Sequence, residues 1–373
     1  MKRQGRGMWL VLAGVLFLLA AWLMFSGQGE EEVAEAPEVN FPRRLRPQEV
    51  ERVERRRTYV APPTDAGVAT VASEPVAPRD PLLAALPRGP GKTAIVIEAN
   101  AIRHSPIGEL LLECLMNQGG KGLEHFQQET GINPLEDLDR LVITDDGLIV
   151  SGNFGNPRFK EMLASRGSVN YGKSANLFEL DPGRTREEAH MAARPSLQMG
   201  TWNDQMLMFD FKGNGLNGIK DIVDRVEGRG PDEPPVISEG NTYGEMYGVI
   251  SVEQFRKLVP PEQKELMDRL AQAAQNVELH VDASSDFAMT AKVRGADAAL
   301  VTDLGKSLGG ALSLARMKAQ TAGDTELAQM LDFARVRPDG ETFGLEVAVP
   351  LNVIQQQLAF CREKQGDASP APR

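Results

Sequence analysis

The alternation of apolar and polar positions divides the chain into three stretches. The first is an uncharged run of 18 residues, Met8–Phe25, which is just long enough to span a bilayer core as a helix. A polar, proline-rich stretch follows it. From about Thr93 to Glu363, apolar residues recur with the two-residue period of strands or the 3.6-residue period of helices. The pattern therefore predicts a membrane segment, a spacer and a folded region.

The first half of the folded region predicts strands that alternate with helices. The segment TAIVIEA predicts a strand, and a helix should follow with Ser105 as its N-cap and Pro106 at its first position. The leucines of this helix share one face, which predicts packing on a sheet. A second short helix, GLEHFQQETG, should end at Gly131. The segment LDRLVITDDGLIVSGNF predicts a hairpin that turns at residues 145–147, and a helix should cover residues 156–166.

The same order of elements returns in the second half. NVELHVDASSDFAMTAKV predicts another hairpin, RGADAALVTDLGKSLGGALSLARMKAQ predicts another helix, and each copy closes with paired strands and a helix. The predicted fold class is therefore α+β, with duplicated antiparallel sheet-plus-helix units. The proline-rich segment 228–240 separates a first unit at residues 92–230 from a second unit at residues 241–363. Residues 364–373 are predicted to form a disordered tail.

Three segments of the folded region resemble a group of known proteins. They are PIGELLLECL, ETGINPLEDLDRLVI and ARVRPDGETFGLEVAVPL. They make the chain similar to a loose group of uncharacterised Gram-negative envelope-anchored proteins with a duplicated α+β domain. The resemblance covers about residues 93–360 and consists of apolar spacing. It implies a two-copy exported domain and brings no catalytic residues with it.

The charges around the apolar run predict its orientation. Basic residues precede the run and acidic residues follow it, so the positive-inside rule keeps the N-terminus cytoplasmic. This predicts a single-pass inner-membrane protein in which residues 1–25 form a cytoplasmic basic stub and a transmembrane helix, followed by a periplasmic C-terminal domain. A cleaved signal peptide is the alternative, although the run exceeds a typical h-region and no A-x-A site follows it. The flanking residues are Lys2, Arg3 and Arg6 before the run, and Glu30, Glu31, Glu32 and Glu35 after it.

The stretch at residues 26–91 is predicted to be a disordered linker rich in Pro, Arg and Glu. It holds ten prolines and too little apolar surface to fold. A cluster of arginines within it has two interpretations, a solvated spacer or an electrostatic contact with anionic headgroups or an acidic wall polymer. The arginines of this possible contact are Arg43, Arg44, Arg46, Arg52, Arg55, Arg56 and Arg57.

Charge and composition exclude several classes of function. A net charge of −11 opposes attraction to phosphate backbones, so no nucleic acid is expected as a partner. Two cysteines and four scattered histidines leave little material for a metal site, and no metal or cofactor is predicted. Cys114 and Cys361 lie on apolar helix faces. They form a disulfide in an oxidising compartment if their helices meet, and otherwise are two separately buried thiols.

Three short motifs resemble nucleotide or nucleophile sites, but their contexts favour structural roles. GNGLNG at residues 213–218 has the spacing of a dinucleotide-binding turn, yet the strand before it carries Asp210 and Lys212 on one face and should be antiparallel and half exposed. GPGKT at residues 89–93 precedes a strand where a phosphate-binding loop requires a helix. GKSLG at residues 305–309 places its serine inside a predicted helix instead of on a nucleophile elbow.

With no nucleophile, base or metal cluster left, the predicted function is binding or scaffolding in the cell envelope without catalysis. The partner would be an envelope protein or a wall polymer. The alternative is a periplasmic hydrolase whose acid and base are carboxylates brought together by the fold. A pocket with two carboxylates of raised pKa would favour the hydrolase, and a shallow apolar sheet face would favour binding.

Overall fold

The computed structural model describes residues 80–180, 197–211, 215–258, 264–324, 328, 331–339 and 342–358. The predicted membrane segment, the predicted linker up to residue 79 and the predicted tail lie outside these ranges. Within them, no helix combines the length and the apolar character needed to cross a bilayer. The described fold begins at Asp80, inside the stretch predicted as linker, because Leu82 and Leu86 are buried in the core.

The described elements of the N-terminal half alternate between short strands and helices. In chain order they are α1 (Pro81–Ala84), β1 (Ala94–Ile97), α2 (Ala99–Arg103), α3 (Pro106–Thr130), β2 (Leu138–Thr144), β3 (Gly147–Gly152), α4 (Pro157–Ala164), β4 (Val169–Tyr171), β5 (Ala175–Leu180), β6 (Leu197–Trp202), β7 (Met206–Asp210) and α5 (Leu216–Val226).

The described elements of the C-terminal half follow a short 3-10 helix at Glu239–Asn241. They are β8 (Met246–Ser251), α6 (Val252–Leu258), α7 (Lys264–Ala273), β9 (Asn276–Asp282), β10 (Phe287–Arg294), α8 (Ala298–Ala322), β11 (Ala334–Asp339), β12 (Thr342–Val349) and α9 (Leu351–Gln357).

All these strands form one antiparallel sheet, so the fold class is α+β with a large antiparallel sheet and helices. The strand order is β11-β12-β10-β9-β8-β1-β2-β3-β7-β6-β5-β4. At the centre, β1 pairs with β8 and places Val96 opposite Tyr247. Outward from β1 the order β1-β2-β3-β7-β6 matches the order β8-β9-β10-β12-β11 outward from β8. The two halves thus share one sheet, and independent folding of the units at 92–230 and 241–363 stays a prediction.

Registered pairs define two faces of this sheet. Five successive strands each place one residue side by side on the same face, which we call the His280 face. These residues are Val142, Val96, Tyr247, His280 and Thr290. In the N-terminal half this face is apolar and is covered by α1 and α5. The core residues there include Leu82, Val96, Val142, Ile149, Met208, Ile219 and Val223.

Helices cover the opposite face along most of the sheet. Helix α4 packs there through Phe159 and Leu163, and α7 and α8 pack there through Leu270 and Leu304. The last helix, α9, also contacts α3, so Ile354 joins a cluster with Ile107, Leu110 and Val349. Consequently α9 does not take the position over the His280 face that α5 takes in the other half.

Helix α3 corrects the expectation of two separate helices before Gly131. It runs without a break for 25 residues through the glycine-rich segment NQGGKG. Both of its ends are capped, since the Ser105 hydroxyl accepts a hydrogen bond from the Gly108 amide at 3.0 Å and Gly131 adopts a left-handed conformation. The expected burial of its leucines is also only partly right, because Leu110 is buried but Leu111 is exposed.

Candidate functional site

The three motifs that resemble nucleotide or nucleophile sites lie in parts of the fold that do not suit such sites. β7, the strand before GNGLNG, is antiparallel to both of its neighbours, as predicted. The expected half-exposure was wrong, because α4 and α5 cover the two faces there and Asp210 is buried. GPGKT precedes strand β1, and Ser307 lies within α8. Residues 212–214 of the first motif lie outside the described ranges.

A buried ion pair anchors α1 to the sheet. The Arg140 guanidinium donates to both carboxylate oxygens of Asp80, at 2.5 Å and 3.0 Å, and both side chains are about nine-tenths buried or more. Burial opposes the charged form of Arg140, but the charge of Asp80 and its hydrogen bonds outweigh this effect and raise the pKa. The same Asp80 accepts a hydrogen bond from the Leu82 amide and thereby caps α1.

Other buried polar groups sit where β1, β8 and β9 meet. The Tyr247 hydroxyl, fully buried, donates to Glu98 at 3.0 Å. Glu245 accepts a hydrogen bond from the Ala283 amide at 2.8 Å. These contacts satisfy polar groups within the fold and hold the ends of the central strands together. Their burial leaves them poorly placed to meet a substrate.

His280 also has a structural position. Its ring is fully buried and stacks on Tyr243 with centroids 3.7 Å apart and planes 4° apart. Nε2 lies 2.8 Å from Glu278 Oε1, and Nδ1 lies 3.3 Å from the Tyr243 carbonyl oxygen. Both ring nitrogens are therefore engaged inside the protein.

One carboxyl group bears on the hydrolase alternative. Burial raises the pKa of Asp139, and the nearby charges of Glu98 and Asp137 add to this effect, while Arg140 and Arg103 oppose it. However, Glu98 accepts the Tyr247 hydrogen bond, and Asp137 accepts one from the Asn133 amide at 2.7 Å. Within the described ranges, no group of three or more His, Cys, Asp or Glu residues is arranged to hold a metal ion.

The largest contrast between the halves is on the His280 face of β10, β12 and β11. Ala288, Thr290 and Ala348 are still buried at one end of this face, but the other end is polar and open to solvent. Strand β10 contributes Lys292 and Arg294, β11 contributes Arg335 and Arg337, and all four side chains are exposed. We call these four residues the cationic face. It is a local exception in a chain whose net charge is −11.

The register of the strands sets the layout of the cationic face. Lys292 and Arg337 flank Gly344 of β12 in one row, and Arg335 lies beside Glu346 in the next row. Arg337 Nε lies 2.9 Å from Glu346 Oε2 in an ion pair, and the Glu346 side chain is only 16% exposed. Among the residues the structure describes, the other three cations form no ion pair.

The remaining surface features are apolar and lie elsewhere. A shallow groove of about 450 Å³ runs along the end of α8 beside Leu314 and Met317. Exposed leucines also mark α3. The described residues do not form the shallow apolar sheet face that would favour binding, and the open sheet surface at β10 and β11 is cationic instead.

Only some of the predicted site residues lie within the described ranges. The seven linker arginines, Arg43, Arg44, Arg46, Arg52, Arg55, Arg56 and Arg57, lie outside the described residues, and so does Cys361. Cys114 is half-buried on α3. The sequence leaves a disulfide and two separate thiols open. Because α3 packs against α9, and α9 ends at Gln357, only a short segment separates the packed helix from Cys361, which favours the disulfide.

We therefore expect the two cysteines to pair. The denatured but unreduced protein should show no thiol that reacts with a maleimide, and reduction should expose two. Two reactive thiols before reduction would contradict the pairing. The fold should form in either case, since its core does not depend on a staple.

No family model, no curated protein and no solved structure matches this chain.

Proposed function

We propose that this chain is a single-pass, membrane-anchored protein of the cell envelope whose periplasmic domain works by binding a partner. In this proposal, Met8–Phe25 is the anchor, the stretch up to residue 79 is a flexible linker, and the domain is a duplicated α+β unit. The matching strand order on either side of the β1–β8 pair supports the duplication.

The cationic face is the observation that carries the proposal. One solvated face is ordinary for an antiparallel sheet, but here cations are gathered on two strands around a bare backbone position. Exposed polar and charged groups on one face can meet a partner without any rearrangement of the core. Charge complementarity of this kind gives a partner its specificity and orientation.

Catalysis finds less support among the described residues. Three candidate side chains are buried and form hydrogen bonds inside the protein, namely His280, Glu98 and Asp80. The hydrolase alternative would have to rely on Asp139, whose raised pKa suits a general acid. It lacks a described second carboxylate that is both adjacent and uncommitted to the fold.

The tether fits a binding role. The stretch from residue 26 to residue 79 is 54 residues long, and a flexible linker of this length has a root-mean-square reach of about 40 Å, so it keeps the domain close to the membrane while allowing it to search. Tethering raises the effective concentration near partners that do not diffuse freely. An enzyme for small soluble substrates gains less from it.

We expect crosslinking in cells to localise the partner on the cationic face. A photoreactive residue at Arg294 or Arg335 should form a defined adduct, and the same residue at Arg158 on α4 should not, because Arg158 is exposed on the other side of the sheet. A periplasm-specific reporter fused after Phe360 should be active in the same strain.

Two outcomes would overturn the proposal. Cytoplasmic reporter activity would remove the localisation. Loss of cellular function in Asp139→Asn, with normal folding and no adduct at either face position, would favour the hydrolase.

A further inference from the structure

The centre of the cationic face is a strip along β12 in which Gly344 is bare backbone, with Thr342 and Glu346 on the same face on either side of it. Gly344 lies between Lys292 and Arg337, and a β-carbon at Gly344 would meet no atom closer than the Arg337 carbonyl oxygen at 4.0 Å. Packing therefore does not require glycine here. Glycine inside a strand weakens it and often marks a place where a ligand or another backbone approaches closely. The flanking cations make this strip a channel with basic walls.

The spacing of the cations fits an extended chain. Neighbouring strands lie about 4.8 Å apart, so the backbones of Lys292 and Arg337 stand about 10 Å apart on either side of the strip. Arg335 and Arg294 belong to the next rows in opposite directions along the strands, each about 6.7 Å away. Alternate side chains of an extended peptide repeat at the same distance. In an extended peptide that lies along β12, each alternate side chain would therefore reach the next row of cations.

The chemistry of the channel favours carboxylates on a polar chain. Lys292, Arg294 and Arg335 form no ion pair among the described residues, so each can receive an acidic group. Lipid surfaces usually also engage apolar side chains. None of the exposed large hydrophobic residues of the described chain lies on β9, β10, β11 or β12.

We infer that this channel binds an extended acidic polypeptide segment with Asp or Glu at alternate positions. The inference rests on the proposed binding function and specifies its partner. The peptide backbone lies over Gly344, and its carboxylates contact the Lys and Arg side chains on both walls. The rest of the chain carries a net negative charge, which opposes general attraction of acidic segments to the protein.

The test uses the full-length protein in a non-ionic detergent and measures fluorescence anisotropy of a labelled peptide. The peptide has six Thr-Glu repeats, and a Thr-Gln peptide is its neutral control. All measurements use a background in which the seven linker arginines from Arg43 to Arg57 are replaced by glutamine, because that cluster would itself attract acidic peptides.

We expect Lys292→Gln combined with Arg337→Gln to weaken binding of the Thr-Glu peptide by about tenfold or more, since charge-assisted hydrogen bonds are lost. Gly344→Val should weaken it by a similar factor by filling the channel, without lowering the melting temperature. The matched control, Arg158→Gln combined with Lys257→Gln, removes two exposed cations from α4 and α6 and should leave affinity unchanged.

Several results would overturn the inference. These are equal binding of the Thr-Glu and Thr-Gln peptides, unchanged affinity in Gly344→Val, or equal losses in the channel and control variants. If crosslinking still captures a partner at Arg294 or Arg335 in that case, the binding function stands and only the acidic peptide is wrong. If crosslinking also captures no partner at Arg294 or Arg335, both the acidic peptide and the binding function are wrong.

Discussion

Replacing Asp80 with alanine should lower the free energy of unfolding by about 3 kcal/mol or more. The substitution leaves the Arg140 guanidinium buried without its counter-charge, which typically costs 3 to 5 kcal/mol. It also removes the cap that Asp80 provides to the Leu82 amide. Urea unfolding of the folded domain, followed by circular dichroism in full-length protein, measures the change.

An exposed ion pair provides the matched control. Lys160 donates to Asp204 at 2.6 Å, but both side chains are about half exposed. Lys160→Gln should therefore cost less than about 1 kcal/mol. The double change Asp80→Leu with Arg140→Met removes both charges together and should recover most of the stability lost in Asp80→Ala. Equal costs for Asp80→Ala and Lys160→Gln would contradict the account of a buried, mutually dependent pair.

Local elements of the fold were largely predictable because their signals are local. The Asp-Asp-Gly turn predicts the β2–β3 hairpin. In the structure, Asp145 of this turn accepts a hydrogen bond from the Thr93 amide at 2.7 Å. Ser105 and Asn156 start their helices as capping residues should. The course of α3 was not predictable in the same way, since glycines weaken a helix and the sequence gives no local signal that it continues through them.

The candidate site could not be found from the sequence for a different reason. The alternation in FAMTAKVR and ARVRPD predicts strands with one polar face, which is ordinary for an antiparallel sheet. Only the strand order shows that Lys292 and Arg337 flank the same glycine. Only the packing of α9 against α3 shows that no described helix takes the place of α5 over that face.

The strand pair at the centre of the sheet gives the last prediction. Gly248 lies on β8, and a β-carbon there would come within 2.3 Å of the Ala94 carbonyl oxygen and 2.7 Å of the Ile95 α-carbon. Both atoms belong to the backbone of β1 and cannot turn aside, so β1 and β8 must move apart. We expect Gly248→Ala to lower the free energy of unfolding by about 3 kcal/mol, at the upper end of overpacking costs. Urea unfolding measures this change.

Gly344→Ala is the control for Gly248→Ala, because both glycines lie inside strands but only one has a crowded β-carbon position. At Gly344 the nearest atom is 4.0 Å away, so alanine should be neutral or raise stability by up to about 1 kcal/mol through reduced backbone entropy. The β1–β8 pair joins the two matching halves, so weakening it should also make the domain unfold in less cooperative steps. A cost for Gly248→Ala no larger than that for Gly344→Ala would mean that the two halves do not depend on close contact between β1 and β8.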